Sequence, residues 1–398
     1  MDNIDGLNKK FVSEMKFNRF FMQGIWPIYR NLTKHKLSER CETCTISSRY
    51  APLQNGQCDA CLQRTEPPPA ARSDQEKELH QTLLAAQGTG KGLYYALIFF
   101  SGGKDSIYMV KTLQERYKDL RILAFTVDNG FNSPLGEQNI SKVCKQHEIE
   151  HLQIRPYEVF NTLYRFGFEN FSHRGFFATD AFGGELFQDI GRNVAAQMKI
   201  PLMLLGYTPQ QIALIDPGYH GYNLYDPNQA IMSGCQNFTR EQYLGADLRE
   251  AFSASEMKYW WDASRYDAKD IPQMIFPFNA WGYDKNAIIQ EAGKFAVSSE
   301  TDPMLTNHLY CIPGIYLDYQ ILGYCSFEPE WATYVRENTA DKKYNRSTWE
   351  VNEYFNANHP EMIKKNTGLN IVLNKLGMNH ADLDSIVKRS IEKRGQAL

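Results

Sequence analysis

A short segment, residues 101–106 (SGGKDS), combines the residue types that bind phosphate groups in proteins. Its two glycines permit a tight turn and let the backbone approach a ligand closely. Lys104 adds a full positive charge, and the hydroxyl groups of Ser101 and Ser106 add hydrogen-bond donors. Together these features predict a binding site for an anion of the size of pyrophosphate. Asp105 would be repelled by bare phosphate, so we expect it to face a Mg²⁺ ion or to cap a helix.

This segment lies between a predicted strand and a predicted helix. The run Leu93–Phe100 (LYYALIFF) is continuously apolar, as expected for a strand that is buried on both faces. Asp105–Tyr117 has apolar residues at helical spacing, and such a helix directs its free N–H groups and the positive end of its dipole at the loop. The elements predicted next are Arg121–Val127 (strand), Leu135–His147 (helix), His151–Ile154 (strand), Gly184–Lys199 (helix) and Pro201–Leu205 (strand). Their alternation predicts an α/β fold with a doubly wound parallel sheet, which binds ligands at the carboxyl ends of its strands.

Four cysteines form a second group of residues with a chemistry of their own. Cys41, Cys44, Cys58 and Cys61 have the spacing C-x2-C-x13-C-x2-C. Two such pairs form a tetrahedral thiolate set, which favours Zn²⁺; an iron–sulfur centre and free thiols are the alternatives. Because four thiolates leave no open coordination position, we assign the site to folding rather than to catalysis.

The SGGKDS segment after a buried strand resembles the PP-loop of the ATP pyrophosphatase superfamily. The resemblance implies that the chain cleaves ATP between the α- and β-phosphates, adenylates a carbonyl oxygen and lets a nucleophile displace AMP. Residues 206–211 (GYTPQQ) are similar to the family's G-H-T-x-x-D segment, but Tyr207 and Gln211 replace its His and Asp. The implied nucleotide-binding residues are Ser101, Gly102, Gly103, Ser106, Asp128, Gly206 and Thr208. The implied catalytic residues are Lys104, Asp105 and Ser106.

The cysteine pairs followed by the PP-loop resemble, more narrowly, the N-acetyl sugar amidotransferases of surface-polysaccharide biosynthesis. Asn55–Cys61 (NGQCDAC) and Phe125–Asn139 (FTVDNGFNSPLGEQN) are similar to segments of that family. The likeness covers residues 40–215, and beyond them Tyr310–Glu328 is the best match. Residues 176–181 (FFATDA) lack the cysteines that the family usually has before the fourth strand. The resemblance implies an amidotransferase that uses ATP, Mg²⁺ and Zn²⁺ and acts on a nucleotide sugar or a related small molecule.

An amidotransferase needs ammonia, and glutamine-splitting enzymes obtain it with an activated cysteine. The chain begins Met1-Asp2, so it shows no N-terminal nucleophile, and it has no G-x-C-x-G elbow. We therefore predict a separate glutaminase subunit that supplies ammonia.

The alternative function is that of a sulfurtransferase, which thiolates a small heterocycle or a tRNA base through a cysteine persulfide. The candidate cysteines are Cys144, Cys235, Cys311 and Cys325. The complete Lys104, Asp105 and Ser106 set argues against a third class, a non-catalytic nucleotide-binding or zinc scaffold.

The amino-acid composition argues against several other classes of protein. Of 398 residues, 43% are hydrophobic and 22% charged, which is typical of globular proteins. A formal charge of −3 gives no support to nucleic-acid binding, and no apolar run is long enough to span a membrane. The cysteine usage and the polar N-terminus indicate a cytoplasmic protein. A homo-oligomer is compatible with the sequence.

Five parts are predicted along the chain. Residues 1–40 form an N-terminal arm, 41–64 the zinc knuckle and the proline-rich residues 65–78 a stiff linker. Residues 79–216 form the PP-loop domain, and residues 217–398 an aromatic, mostly helical region that contacts substrate or partner. Its candidate substrate contacts are Phe276, Phe278, Trp281, Tyr283, Tyr310 and Tyr316.

Overall fold

The structure is a computed structural model that describes residues 2–63, 71–87, 92–171, 173–215, 221–224, 248–294 and 308–396. The chain divides into two compact units. Unit 1 comprises Met1–Glu66, Tyr164–Thr179 and Thr301–Leu398, and unit 2 comprises Pro67–Leu163 and Asp180–Glu300. This division differs from the predicted sequential domains 79–216 and 217–398, because unit 2 includes residues on both sides of position 216.

The elements below keep the same labels throughout. The strands of the described ranges are β1 (Leu53–Gln54), β2 (Gln57–Cys58), β3 (Ala96–Phe99), β4 (Ile122–Val127), β5 (His151–Ile154), β6 (Leu202–Leu204), β7 (Asn223–Leu224) and β8 (Gln273–Ile275). The helices there are α1 (Asp2–Phe20), α2 (Trp26–Thr33), α3 (Asp59–Leu62), α4 (Ala71–Ala86), α5 (Lys104–Arg116), α6 (Pro134–Gln146), α7 (Tyr157–Glu169), α8 (Phe177–Gln197), α9 (Pro209–Ile215), α10 (Pro277–Trp281), α11 (Lys285–Gly293), α12 (Cys311–Ile321), α13 (Glu328–Arg336), α14 (Lys342–Asn358), α15 (Pro360–Ile363), α16 (Thr367–Lys375) and α17 (His380–Gln396).

Unit 2 is built on a sheet with the strand order β5-β4-β3-β6-β8-β7. Strands β3, β4, β5, β6 and β8 are parallel, and β7 pairs with β8 in the antiparallel direction. Ile98 of β3 lies opposite Ala124 of β4 on one side and Leu204 of β6 on the other. The chain runs outwards from β3 to β5 and then returns to β6 on the far side of β3. This order confirms the predicted α/β fold with a parallel sheet wound in two directions.

The apolar strands are covered closely by helix α8. A Cβ atom on Gly191 of α8 would lie 2.2 Å from the ring of Phe99 in β3 and 3.4 Å from the sulfur of Met203 in β6. Only a glycine permits this approach, so α8 packs directly over the two central strands. The predicted strand over 151–154 has the observed bounds. Helix α8 begins at Phe177, before the predicted start at Gly184.

The predicted linker is helical in its second half. Residues 64–70 lie outside the described residues, and α4 begins at Ala71 within the segment 65–78. Leu79 and Leu83 of this helix stand one turn apart and are fully buried. Burial of this pair stabilises a helix whose composition alone resembles a linker, because packing of an apolar face contributes more than intrinsic propensity.

Unit 1 contains the N-terminal arm and the helical C-terminal part of the chain. The arm packs on its own unit: the indole Nε1 of Trp26 donates to Glu350 of α14 at 3.1 Å, and Trp26 is fully buried. Helices α12 to α17 confirm the predicted helical C-terminal region. The last of them begins with a reciprocal cap, because Asn379 accepts from Ala381 N–H at 2.8 Å and donates its own N–H to Asp382 at 2.8 Å. No helix in the described ranges has the length and apolarity to cross a membrane.

Candidate nucleotide site and cysteine cluster

The predicted phosphate loop connects β3 to α5 at the carboxyl edge of the sheet in unit 2. Gly103 is the N-cap residue of α5 with an extended backbone, so the free N–H groups of the first helical turn face the loop. The Ser106 hydroxyl donates to the Gly103 carbonyl at 3.1 Å and lies 3.4 Å from the Ser101 hydroxyl. The structure therefore brings the two serines and the helix N-terminus together, as the sequence predicts. Their contact with phosphate stays a prediction.

Gly102 has a conformation that other residues adopt with strain. Its φ is +69°, and a Cβ atom there would lie 2.5 Å from the carbonyl oxygen of Gly136. The Gly102 carbonyl also accepts a hydrogen bond from the Asn139 amide at 3.0 Å. Helix α6 thus holds the bend from outside and leaves no room for a side chain.

Gly102→Ala tests this bend. The left-handed backbone and the contact with Gly136 should together destabilise the native loop by about 1 to 3 kcal/mol. We expect a lower thermal midpoint and weaker ATP binding, measured by thermal denaturation and by calorimetry. Gly395→Ala is the matched control, because a Cβ atom there meets nothing within 4 Å. Equal stability and ATP affinity in the two variants would contradict the role of Gly102.

Lys104 and Asp105 form a charged pair within the loop. The Lys104 ammonium lies 2.5 Å from one Asp105 oxygen, and the other Asp105 oxygen accepts from the Tyr283 hydroxyl at 3.0 Å. Lys104 is buried to 8% exposure, so its charge lies in a medium where electrostatic interactions are stronger than in water. Asp105 does not cap α5. A single carboxylate beside a phosphate loop fits Mg²⁺, which proteins commonly hold by one or two carboxylates together with substrate phosphates.

Asp128 stands at the carboxyl end of β4, next to the loop strand. One of its oxygens accepts from Gly130 N–H at 2.9 Å. The other accepts from the Tyr157 hydroxyl at 2.8 Å and lies 3.3 Å from Arg155. Burial and this bond raise the pKa of Tyr157 to about 12. One oxygen thus serves the turn after β4 and the other binds residues that follow β5, and the predicted nucleoside contact stays a prediction.

The segment that follows β6 lies close to the phosphate loop. A Cβ atom on Gly206 would lie 3.7 Å from the Ser106 backbone nitrogen, so the two backbones face each other closely. Thr208 and Gln211 cap α9 reciprocally, with bonds of 3.1 and 3.0 Å. Gln211, which departs from the family pattern, therefore has a local structural role. β3 and β6 flank the point where the strand order reverses, which is where such sheets bind ligands.

The four N-terminal cysteines converge in unit 1 as predicted. Their sulfur atoms all lie within 4.8 Å of one another, with Cys41 and Cys61 at 3.7 Å and Cys44 and Cys58 at 3.6 Å. A tetrahedral Zn²⁺ with bonds of about 2.3 Å separates its sulfurs by about 3.8 Å. The four thiolates of a cubane iron–sulfur cluster bind four different irons and stand farther apart. The spacing therefore fits one metal ion.

The surroundings of the cluster stabilise the thiolate form of Cys41. Burial acts to raise the pKa of Cys41, but the backbone N–H groups of Cys44, Cys58 and Thr43 lower it to about 6. Burial raises the pKa of Cys61 to about 11, which a coordinated cation would reverse.

A buried ion-pair network joins the cysteine module to helices α13 and α14. Arg40 donates to Glu328 and to Glu353, each at 2.8 Å, and also to the Thr45 carbonyl at 3.1 Å. The Asn345 amide donates to the Thr45 hydroxyl at 2.7 Å. The loop between Cys44 and Cys58 is therefore held by residues from the C-terminal part of the chain. This arrangement supports a structural role for the cluster.

The remaining four cysteines are the candidates for sulfur chemistry. Burial raises the pKa of Cys144 to about 11 and raises that of Cys325 well above its usual range. Cys311 is buried in α12, and Cys235 lies outside the described residues. A sulfur-transferring thiol needs a lowered pKa and access to solvent. Neither Cys144 nor Cys325 has the lowered pKa.

Some contacts of the site were only partly foreseen. Of the candidate aromatic residues, Phe278 and Tyr283 lie beside the nucleotide loop, whereas Tyr310 and Tyr316 are buried in unit 1. Helix α8 carries buried polar residues that were not singled out from the sequence. Their signal was present, because positions 185, 188, 189 and 192 share one face of a helix at i, i+3, i+4 and i+7.

Comparisons with known proteins give limited relationships. No protein-family model matches the chain. The chain is 30% identical over 115 residues to the uncharacterised protein MJ1599 of Methanocaldococcus jannaschii, which covers 28% of this chain and 40% of that protein. It is similar to the solved structure of the U34-tRNA thiolase NcsA from Methanococcus maripaludis with its 4Fe–4S cluster, at 14% identity, over 76% of this chain and 87% of that one, with a TM-score of 0.33. This score is too low to establish a shared fold. Neither comparison points to a sugar amidotransferase.

Proposed function

We propose that this chain is an ATP pyrophosphatase-type enzyme that adenylates a carbonyl oxygen of a small molecule and releases pyrophosphate. One observation carries the proposal: the glycine-hinged SGGKDS loop stands at the N-terminus of α5, where the strand order reverses, and the Gly206 backbone faces it. This edge of the sheet carries backbone N–H groups, two hydroxyls and a buried ammonium within one short segment. That set of donors suits the outer phosphates of a nucleotide.

In the proposed reaction, the loop 101–106 holds the β- and γ-phosphates. Lys104 stabilises the negative charge that develops as the bond between the α-phosphorus and the bridging oxygen breaks. A carbonyl oxygen of the acceptor forms a bond to the α-phosphorus, and pyrophosphate leaves with the electron pair. Asp105 would hold a Mg²⁺ ion, which neutralises charge on the leaving pyrophosphate.

A nucleophile then attacks the activated carbon, and the carbon–oxygen bond breaks as AMP leaves with its electron pair. We propose ammonia as this nucleophile, supplied by a separate glutaminase subunit, and a nucleotide sugar as the acceptor. The family resemblance in residues 40–215 supports both the sugar and the nitrogen. The raised thiol pKa values of Cys144 and Cys325 disfavour these two cysteines as sulfur carriers. Sulfur transfer, the activity of the tRNA thiolase, is the second candidate for this step.

Product analysis tests the proposal. The chain is incubated with ATP, candidate nucleotide sugars and either isotope-labelled ammonium or sulfide, and the products are identified by mass spectrometry. We expect equal amounts of AMP and pyrophosphate and a product that contains the labelled nitrogen. A product that contains sulfur would contradict ammonia as the nucleophile and support sulfur transfer, the second candidate. Formation of ADP and phosphate would contradict the ATP pyrophosphatase chemistry itself.

A further inference from the structure

Helix α8 of unit 2 carries a buried polar face that the proposed reaction has not yet used. Glu185, Gln188, Asp189 and Arg192 share this face, and each side chain is at most 2% exposed. A buried stripe of charged residues on a helix that covers a sheet is unusual, since such positions are normally apolar. It therefore needs a reason.

Two of these four side chains, Asp189 and Arg192, have partners within the protein. Asp189 accepts the Trp261 backbone N–H at 2.9 Å and lies 3.7 Å from the Arg192 guanidinium. The guanidinium in turn stacks on the Trp261 ring with its central carbon 4.3 Å from the ring centroid. These contacts join α8 to the segment that follows residue 248 and explain Asp189 and Arg192.

Glu185 and Gln188 are different. The Gln188 amide lies close to the Glu185 carboxylate, but no donor from the described ranges forms a hydrogen bond of normal geometry to either Glu185 oxygen or to the side-chain oxygen of Gln188. The Gln188 amide nitrogen is directed to the Tyr207 hydroxyl at 3.4 Å. Three acceptor atoms are thus buried close together on adjacent turns of one helix face. Leaving such groups without donors is destabilising, and more so for a charged group.

Tyr207 connects this acceptor set to the segment that faces the proposed nucleotide loop. A Cβ atom on Gly184 would stand 2.7 Å from the Tyr207 hydroxyl, so the α8 backbone next to Glu185 contacts Tyr207. Tyr207 directly follows Gly206, whose backbone faces Ser106 of the loop. The acceptors are therefore linked to the segment that faces the loop through the length of the Tyr207 side chain.

The chemistry of the set selects its ligand. Two carboxylates and one guanidinium leave one negative charge in excess when Glu185 is ionised. Burial raises the pKa of Glu185 well above its usual range, Asp189 raises it further, and Arg192 and the Gln188 amide oppose this. A cation with its own N–H donors would remove the penalty. Ammonium is such a cation, because it offers four donors around one charge.

We propose that Glu185 and Gln188 bind an ammonium ion on the face of α8 that Tyr207 links to the proposed adenylation site, and that the Glu185 carboxylate accepts one of its protons. The ammonia so formed has the lone pair that attacks the activated carbon. This inference rests on the proposed function and deepens it, because it gives the nitrogen a place on this chain. It also assigns a binding role to two residues outside the loops that the sequence singled out.

The first test measures ammonium binding without any reaction. Wild-type protein is heated in ammonium, potassium or sodium chloride of equal concentration, and the melting temperature is recorded. We expect ammonium to raise the melting temperature above that in the other two salts, because a ligand that binds only the folded state stabilises it. Glu185→Gln should abolish the difference. Glu330→Gln, which changes another buried carboxylate bonded to Tyr334 at 2.7 Å, should retain it.

The second test measures the reaction. Glu185→Gln should raise the KM for ammonium at least tenfold and leave ATP–pyrophosphate exchange unchanged, which a purely structural role would not do. Equal melting temperatures of the wild-type protein in all three salts, or an unchanged KM in the variant, would overturn the site. If Glu185→Gln does not fold, the wild-type comparison decides alone. Ammonium-specific stabilisation without pyrophosphate exchange would instead reject the proposed function and keep the site.

Discussion

Replacing Lys104 with alanine should reduce ATP–pyrophosphate exchange by roughly 10²-fold or more, because the side chain supplies charge where the leaving pyrophosphate develops it. The structure strengthens the reason for this expectation. Lys104 is the N1 residue of α5 and is buried to 8% exposure, so solvent screens its charge poorly. Its ammonium is held by Asp105, which Tyr283 fixes in turn. The charge is therefore positioned before the nucleotide binds.

Exchange of labelled pyrophosphate into ATP, in the presence of the acceptor, measures this effect. Lys111→Ala is the matched control, since Lys111 lies two turns later in α5 and pairs with Glu291 at 2.9 Å, away from the loop. We expect the control to retain the wild-type rate. An unchanged rate in Lys104→Ala would remove the lysine from the mechanism, and an equal loss in both variants would indicate a general defect of α5.

Replacing Cys44 with serine should remove the bound metal and unfold much of unit 1. Structural zinc contributes about 10 to 16 kcal/mol of binding free energy in small zinc peptides, which is comparable to the whole stability of a domain. We expect one zinc per wild-type chain and none in the variant, measured by elemental analysis. The variant should also lose its cooperative thermal transition for unit 1.

Cys144→Ser is the control, because Cys144 lies on α6 of unit 2 and outside the cluster. It should retain the metal and the transition. The zinc assignment would be contradicted if the wild-type protein contained iron and inorganic sulfide and showed the broad visible absorption of an iron–sulfur cluster. Full metal content in Cys44→Ser would contradict the cysteine set.

The sequence was most informative where short local patterns determine structure. A continuous apolar run followed by two glycines and a lysine predicts a strand, a turn and a helix start, and β3, the loop and α5 have that order. The cysteine pairs are similarly local, because each C-x-x-C places two thiols at one turn. The convergence of the pairs followed from chemistry, since only one arrangement satisfies a tetrahedral ion.

Features that depend on distant residues were not predictable in this way. The strand β8 joins β6 in the sheet, although more than sixty residues separate them and its run QMI is too short to signal a strand. The linker prediction was wrong for Ala71 onwards, because burial of Leu79 and Leu83 outweighs the composition around them. Asp128 also contacts Tyr157 and Arg155, and a sequence motif does not reveal these two partners.

The composition of unit 1 from both ends of the chain has a consequence for synthesis. Cys61 leaves the ribosome about 270 residues before Glu328, the partner of Arg40 beside the cluster. At about 5 to 20 residues per second, that interval lasts roughly 13 to 50 s. During it the nascent thiols are exposed to oxidants and to competing ions without their helical cover. The yield of active protein in a cell should therefore depend on metal supply and reducing conditions during translation.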